Sequence, residues 1–119
     1  MLLMKLAPAL LTVALVAASA HSWADYFVER DLHGSWCFHT KEYPDGNQSN
    51  EKVSYHFGVD QQLRMTEFTY ETRSAYSLRG SRLKIDKIGR FDVLQLTPSQ
   101  LLLKHRNGSL LHLKRGRCQ

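Results

Sequence analysis

The sequence predicts an all-β fold, a small eight-stranded antiparallel meander barrel. Three observations predict it. From Gly34 onward, apolar residues recur at alternate positions in short runs, the period of a half-buried strand. Tight turn signals separate the runs, above all Asn107-Gly108, so neighbouring strands must pair antiparallel. Between Gly34 and the C-terminus no segment carries the pattern of a crossover helix. A meander of this kind can close on itself and remove both exposed edges.

The elements follow in order. Asp25 to Leu32 has room for a turn or two of helix. Trp36, Phe38 and Thr40 share one face of a first strand, which Pro44-Asp45-Gly46-Asn47 breaks in a polar loop running to about Asn50. Val53, Tyr55 and Phe57 form the inner face of a second strand, and Gly58 to Gln61 turn the chain. The third strand runs long, from Leu63 and Met65 through Phe68 and Tyr70. Its inner face changes parity between Met65 and Phe68, which predicts a bulge near Glu67. Tyr76 and Leu78 mark a fourth strand, and Arg79-Gly80-Ser81 turns, with glycine supplying a positive φ.

Leu83 and Ile85 alternate with Arg82, Lys84 and Asp86 in a fifth strand, and Ile88-Gly89-Arg90 turns again. Phe91 to Leu96 form a sixth strand, ended by Thr97-Pro98-Ser99 because proline cannot donate to a ladder. Leu101 to Arg106 and Ser109 to Arg115 flank Asn107-Gly108. A two-residue loop there would pair Arg106 with Ser109 and set Leu103 opposite His112. His105 and His112 would then be diagonal neighbours on one face.

The N-terminus reads as a secretory signal peptide. Lys5 gives a charged start, Leu6 to Ala18 is an apolar core, and Ala18-Ser19-Ala20 and Ser22-Trp23-Ala24 are small-residue cleavage sites. The expectation is a leader over residues 1–24, cut after Ala20 or Ala24, and a mature domain over residues 25–119. The apolar run is shorter than the roughly 20 residues a membrane span needs. Losing Lys5 lowers the net charge from +5 to +4, a mild bias toward anionic partners. In an exported protein, anionic envelope glycans or lipid headgroups fit that bias better than nucleic acid does.

Cys37 and Cys118 are the two cysteines, 81 positions apart. A pair in an oxidising compartment reads as a disulfide, here closing nearly the whole domain. The spacing offers no CxxC metal site and no CxxCH haem site.

Leu32-His33-Gly34-Ser35-Trp36 carries a Gly-x-Trp signature at the start of the first strand. Tyr55-His56-Phe57, then Tyr76-Ser77-Leu78-Arg79-Gly80-Ser81-Arg82-Leu83, then Leu101 to Leu113 follow it. This order resembles the short lipocalin-like (calycin-type) domains of bacterial exported proteins, over roughly Leu32 to Arg117. The resemblance implies barrel closure by Gly34, Trp36 and an arginine late in the last strand, for which Arg115 is the first candidate and Arg117 the second. A guanidinium on an indole face is a cation–π contact. The chain lacks the Thr-Asp-Tyr motif and the terminal helix of full-length lipocalins.

Phe38, Tyr55, Phe57, Phe68, Tyr70 and Tyr76 are expected to face inward, as the lining of a small apolar ligand site or as plain core. His33, His39, His56, His105 and His112 show no HxH, HExxH or Cys/His cluster, so no metal and no cofactor is expected. Arg79, Arg82, Lys84, Lys87, Arg90 and the tail Lys114, Arg115, Arg117 read either as an anion-binding face or as a solvated outer face that guards the strand edge. The sequence has no Gly-x-Ser-x-Gly elbow, no phosphate loop and no paired acids. The reading is a periplasmic or secreted non-enzymatic binding protein for a small apolar ligand or a partner protein. The alternatives are a module for anionic cell-envelope polymers and an exported lysozyme inhibitor. Like charge opposes the last, since lysozymes are often cationic too.

Overall fold

The computed structural model describes residues 27–119; the expected leader and its cleavage sites lie outside them. One turn of helix, α1 (Glu29–Leu32), precedes eight strands: β1 (Gly34–Glu42), β2 (Gln48–Phe57), β3 (Gln62–Glu67), β4 (Tyr70–Arg79), β5 (Arg82–Ile85), β6 (Gly89–Leu96), β7 (Gln100–His105) and β8 (Leu110–Arg115). Each strand pairs with the next, and β1 pairs antiparallel with β8, so the barrel closes in simple meander order. Closure leaves no terminal edge strand to template aggregation.

Period-2 alternation decides what goes inside. Trp36 and Phe38, Tyr55 and Phe57, Leu63 and Met65, Tyr76, Leu83 and Ile85, Phe91 and Val93, Leu101 and Leu103, and Leu111 and Leu113 form one buried cluster, with Leu32 plugging one end. Most of the expected inner residues enter it, but Thr40, past a bulge, stands opposite His112 on the outer face, and a slip of one position would turn the buried set outward. Two bulges bend the wall, one between Phe38 and Thr40 and one between Val93 and Gln95. The second leaves Leu94 half exposed outside.

Three expectations are corrected. The long third strand is two strands. Glu67 pairs with Tyr70, so Phe68-Thr69 is a two-residue hairpin turn and the change of parity is the turn itself. Phe68 takes a positive φ of 55° and is 90% exposed, and Tyr70 is 77% exposed. Neither reaches the inner face, because the β3–β4 hairpin runs beyond the last β4–β5 rung, Tyr76 with Ile85.

The β7–β8 connection has three residues, not two. Lys104 pairs with Leu110 and Leu103 with Leu111, and the His105 N–H donates to the Ser109 carbonyl at 2.7 Å. Gly108, at φ 95°, provides the left-handed residue that a three-residue hairpin requires. This register keeps Leu111 and Leu113 inside, and it puts His112, opposite Leu102, outside. His105 keeps the inner parity and stacks edge-on against Phe91 at 4.9 Å. The two histidines therefore lie on opposite faces of the sheet.

The third correction concerns the first hairpin. Its polar loop ends sooner than expected: β2 already starts at Gln48.

Candidate functional site

The Trp36 end of the barrel is built for closure. Trp36 is fully buried, and its indole Nε1–H donates to the Leu32 carbonyl at 2.8 Å. The Arg115 guanidinium lies 3.8 Å from the centre of the indole ring. It also donates to three carbonyls, those of His33 (2.9 Å), Asp31 (3.0 Å) and Pro98 (3.0 Å). One side chain thus ties the α1 turn and the β6–β7 loop to the mouth of the barrel. A Cβ on Gly34 would stand 3.3 Å from Arg115 Nη1, at a φ of 110°. Glycine here lets the backbone pass under the guanidinium in a conformation L side chains avoid. Arg115 is therefore engaged, and it leaves the set of free cations. The Cys37–Cys118 disulfide forms beside it, on the outer side of β1.

The candidate lining residues divide. Phe38, Tyr55, Phe57 and Tyr76 pack on one another in sequence, with ring centroids 5.9, 6.1 and 5.0 Å apart. The Tyr76 hydroxyl donates to the Gly58 carbonyl at 2.6 Å. Burial pushes the Tyr55 and Tyr76 hydroxyls up to about 12, with nearby acids adding to the shift. These four side chains spend their surfaces on the core. Phe68 and Tyr70 stand outside it.

The outer face of β4–β6 is different. A groove of about 620 Å³ runs along it, lined by Arg79, Arg82, Lys84, Arg90 and Arg106, with Ser77 and Asp92 among its polar neighbours. Strand register produces this collection. Arg79 stands opposite Arg82, and Lys84 opposite Arg90. The β7–β8 turn brings in Arg106, whose backbone N–H donates to the Arg90 carbonyl at 3.2 Å. Like charges directly across a ladder are destabilising. Asp92 lies opposite Arg82 and Lys104, and among the described residues no salt bridge engages any of the five cations.

Of the run expected from sequence, Arg79, Arg82, Lys84 and Arg90 come together here, while Lys87 sits in the β5–β6 turn. Arg106 was not expected in this set. Only the wrap of the β7–β8 turn over β6 brings it in, which spacing along the chain does not encode.

The histidines are dispersed. His33 Nε2 stands 3.5 Å from Glu29, and His112 Nε2 stands 3.6 Å from Glu42. The His112 ring also lies 6.4 Å from that of His39, and His56 pairs with Ser35. Among the described residues no three His, Cys, Asp or Glu side chains are placed to share a metal ion. No helix among them is long and apolar enough to cross a membrane.

No protein-family model and no curated protein sequence matches this chain. Solved structures do. A lipocalin-like protein from Bacteroides uniformis superposes with a TM-score of 0.62 at 22% identity, over 72% of this chain and 99% of that one. An uncharacterized protein from Bacteroides eggerthii gives 0.58 at 13% identity, over 71% and 98%. A protein from Burkholderia xenovorans gives 0.57 at 14%, over 70% and 81%. At these identities the likeness concerns the fold, and the barrel order and strand count agree with it. The described chain is a closed, eight-stranded antiparallel β-barrel similar in fold to that lipocalin-like protein.

Proposed function

We propose that this protein is an exported, non-enzymatic binding module that holds an anionic cell-envelope polymer along the β4–β6 groove. The carrying observation is the juxtaposition of cations, Arg79 against Arg82 and Lys84 against Arg90, that form no salt bridge among the described residues and share one concave outer face. A face evolved only for solubility would intersperse both signs. Rungs of like charge have a stability cost that a polyanion removes on binding. The disulfide supports an oxidising compartment. A small apolar ligand inside the barrel has less in its favour, because four of its six candidate lining residues pack against each other and the other two face solvent.

Heparin, a sulfated glycan, is a suitable probe, with neutral dextran as control. Retention on heparin should fall steeply with salt, as exposed ion pairs do, and Arg82→Gln/Arg90→Gln should weaken it about tenfold. Unchanged retention by that variant, or retention independent of salt, would refute the reading. A small apolar molecule retained through native mass spectrometry would move the function to the barrel interior.

A further inference from the structure

A second concavity, of about 340 Å³, lies on a different face, over β1–β3. Two rungs of the sheet floor it. Ser35, His56 and Arg64 stand side by side across β1, β2 and β3, and in the next rung Ser54 faces Thr66. Glu71 on β4 borders it on one side, and the other wall is not sheet. The C-terminal tail folds back over β2, where the Cys118 N–H donates to Ser54 Oγ at 2.9 Å, and this places Arg117 at the pocket. The Cys37–Cys118 disulfide pins that tail to β1.

The donor chemistry is one-sided. Ser35 Oγ lies 3.0 Å from His56 Nδ1, so the imidazole is oriented by a neighbouring hydroxyl. Ser54 Oγ uses its acceptor side on Cys118, which leaves its O–H proton free to donate. Arg64 and Arg117 engage no carboxylate among the described residues. The one acid at the pocket, Glu71, is held by Arg73 at 3.4 Å. Two guanidinium forks, three hydroxyls and an imidazole around a volume of this size suit a tetrahedral oxyanion.

We propose that this pocket, formed by Ser35, Ser54, His56, Arg64, Thr66 and Arg117, is a binding site for a phosphate group, assembled only when the Cys37–Cys118 disulfide holds the C-terminal tail in place. It differs from the β4–β6 groove in being compact and rich in hydroxyls, and it depends on a covalent cross-link for one wall. Oxidative folding in the exported compartment is therefore what completes it.

The test is a titration of the full mature protein with inorganic phosphate and, separately, glycerol 3-phosphate, at low ionic strength, followed by amide NMR shifts. Saturable shifts are expected at Ser35, Ser54, His56 and Cys118. Binding of the ester as tight as that of the free ion would point to a phosphorylated molecule, and binding of the free ion alone to phosphate itself. Arg64→Gln/Arg117→Gln should weaken binding at least tenfold with an unchanged circular dichroism spectrum. Cys37→Ser/Cys118→Ser should weaken it similarly while retaining a β spectrum. Should the cysteine variant not fold, Arg117→Gln alone must show a loss of several-fold. Arg82→Gln/Arg90→Gln should leave it intact, so a failure here is distinct from a failure of the polymer reading. Linear, unsaturating shifts with both probes, or full affinity in Arg64→Gln/Arg117→Gln, would overturn the proposal.

Discussion

The closed end of the barrel and the β4–β6 face both depend on arginine, and they use it in opposite ways. Arg115 lies over a buried indole and gives its N–H groups to three carbonyls. Arg79, Arg82 and Arg90 stand in ladders opposite other cations or a shared acid, with no salt bridge among the described residues. A planar, permanently charged fork can be a structural clamp where its donors are consumed, and a recognition surface where they are not. The difference between the two regions is therefore a difference in satisfaction rather than in residue type.

The largest effect should come from the indole beneath the clamp. Trp36→Ala should cost about 3–5 kcal/mol in chemical denaturation, since it empties the largest buried side chain. Breaking the disulfide with Cys37→Ser/Cys118→Ser should cost about 2–4 kcal/mol, because the bond closes a loop of 81 residues. Thiol titration of the denatured, unreduced protein should find no free thiol. Arg115→Ala should cost about 2 kcal/mol from lost stacking and three carbonyls deprived of a charged donor. A double-mutant cycle with Trp36 should show coupling, because the two side chains touch.

Smaller effects sharpen the contrast elsewhere. Phe68→Gly should leave stability unchanged or raise it by about 0.5–1 kcal/mol, since an exposed aromatic at a φ of 55° carries backbone strain and buries almost nothing. Alkaline pH gives an independent check on the core. The Tyr55 and Tyr76 hydroxyls titrate at about 12 in the fold and near 10 in the unfolded chain. Between those values the unfolded state releases protons first, so their contribution is complete below pH 10 and is lost as pH rises toward about 12. Spectrophotometric titration should show two phenols that ionise only as the pH approaches about 12.

The strands were legible because their signals are local, and closure because a meander removes both exposed edges by pairing its ends. Alternation placed Trp36, Phe38, Tyr55, Phe57 and Tyr76 on the inner face, and glycine or proline marked most of the turns. The third strand misled because Phe68-Thr69 contains none of the residues that announce a turn, so a hairpin looked like a bulge. At Asn107-Gly108 the turn was visible and its length was not. One residue of loop decides whether His112 faces in or out, and the dipeptide serves both lengths. Arg106 in the groove and Arg117 at the second pocket were hidden for another reason. Each is carried there by a segment folding back over a neighbouring strand, a relation between distant parts of the chain.

The division of labour between the arginines is tested most directly by measuring stability and heparin retention on the same two variants at low salt. Arg115→Ala should lose about 2 kcal/mol of stability and keep close to full retention. Arg82→Gln/Arg90→Gln should keep its stability or gain up to about 1 kcal/mol as like-charge rungs are relieved, while retention falls about tenfold. If the two properties fall together in both variants, or if the groove variant is destabilised and still binds, the cations of β4–β6 serve the fold and not a ligand.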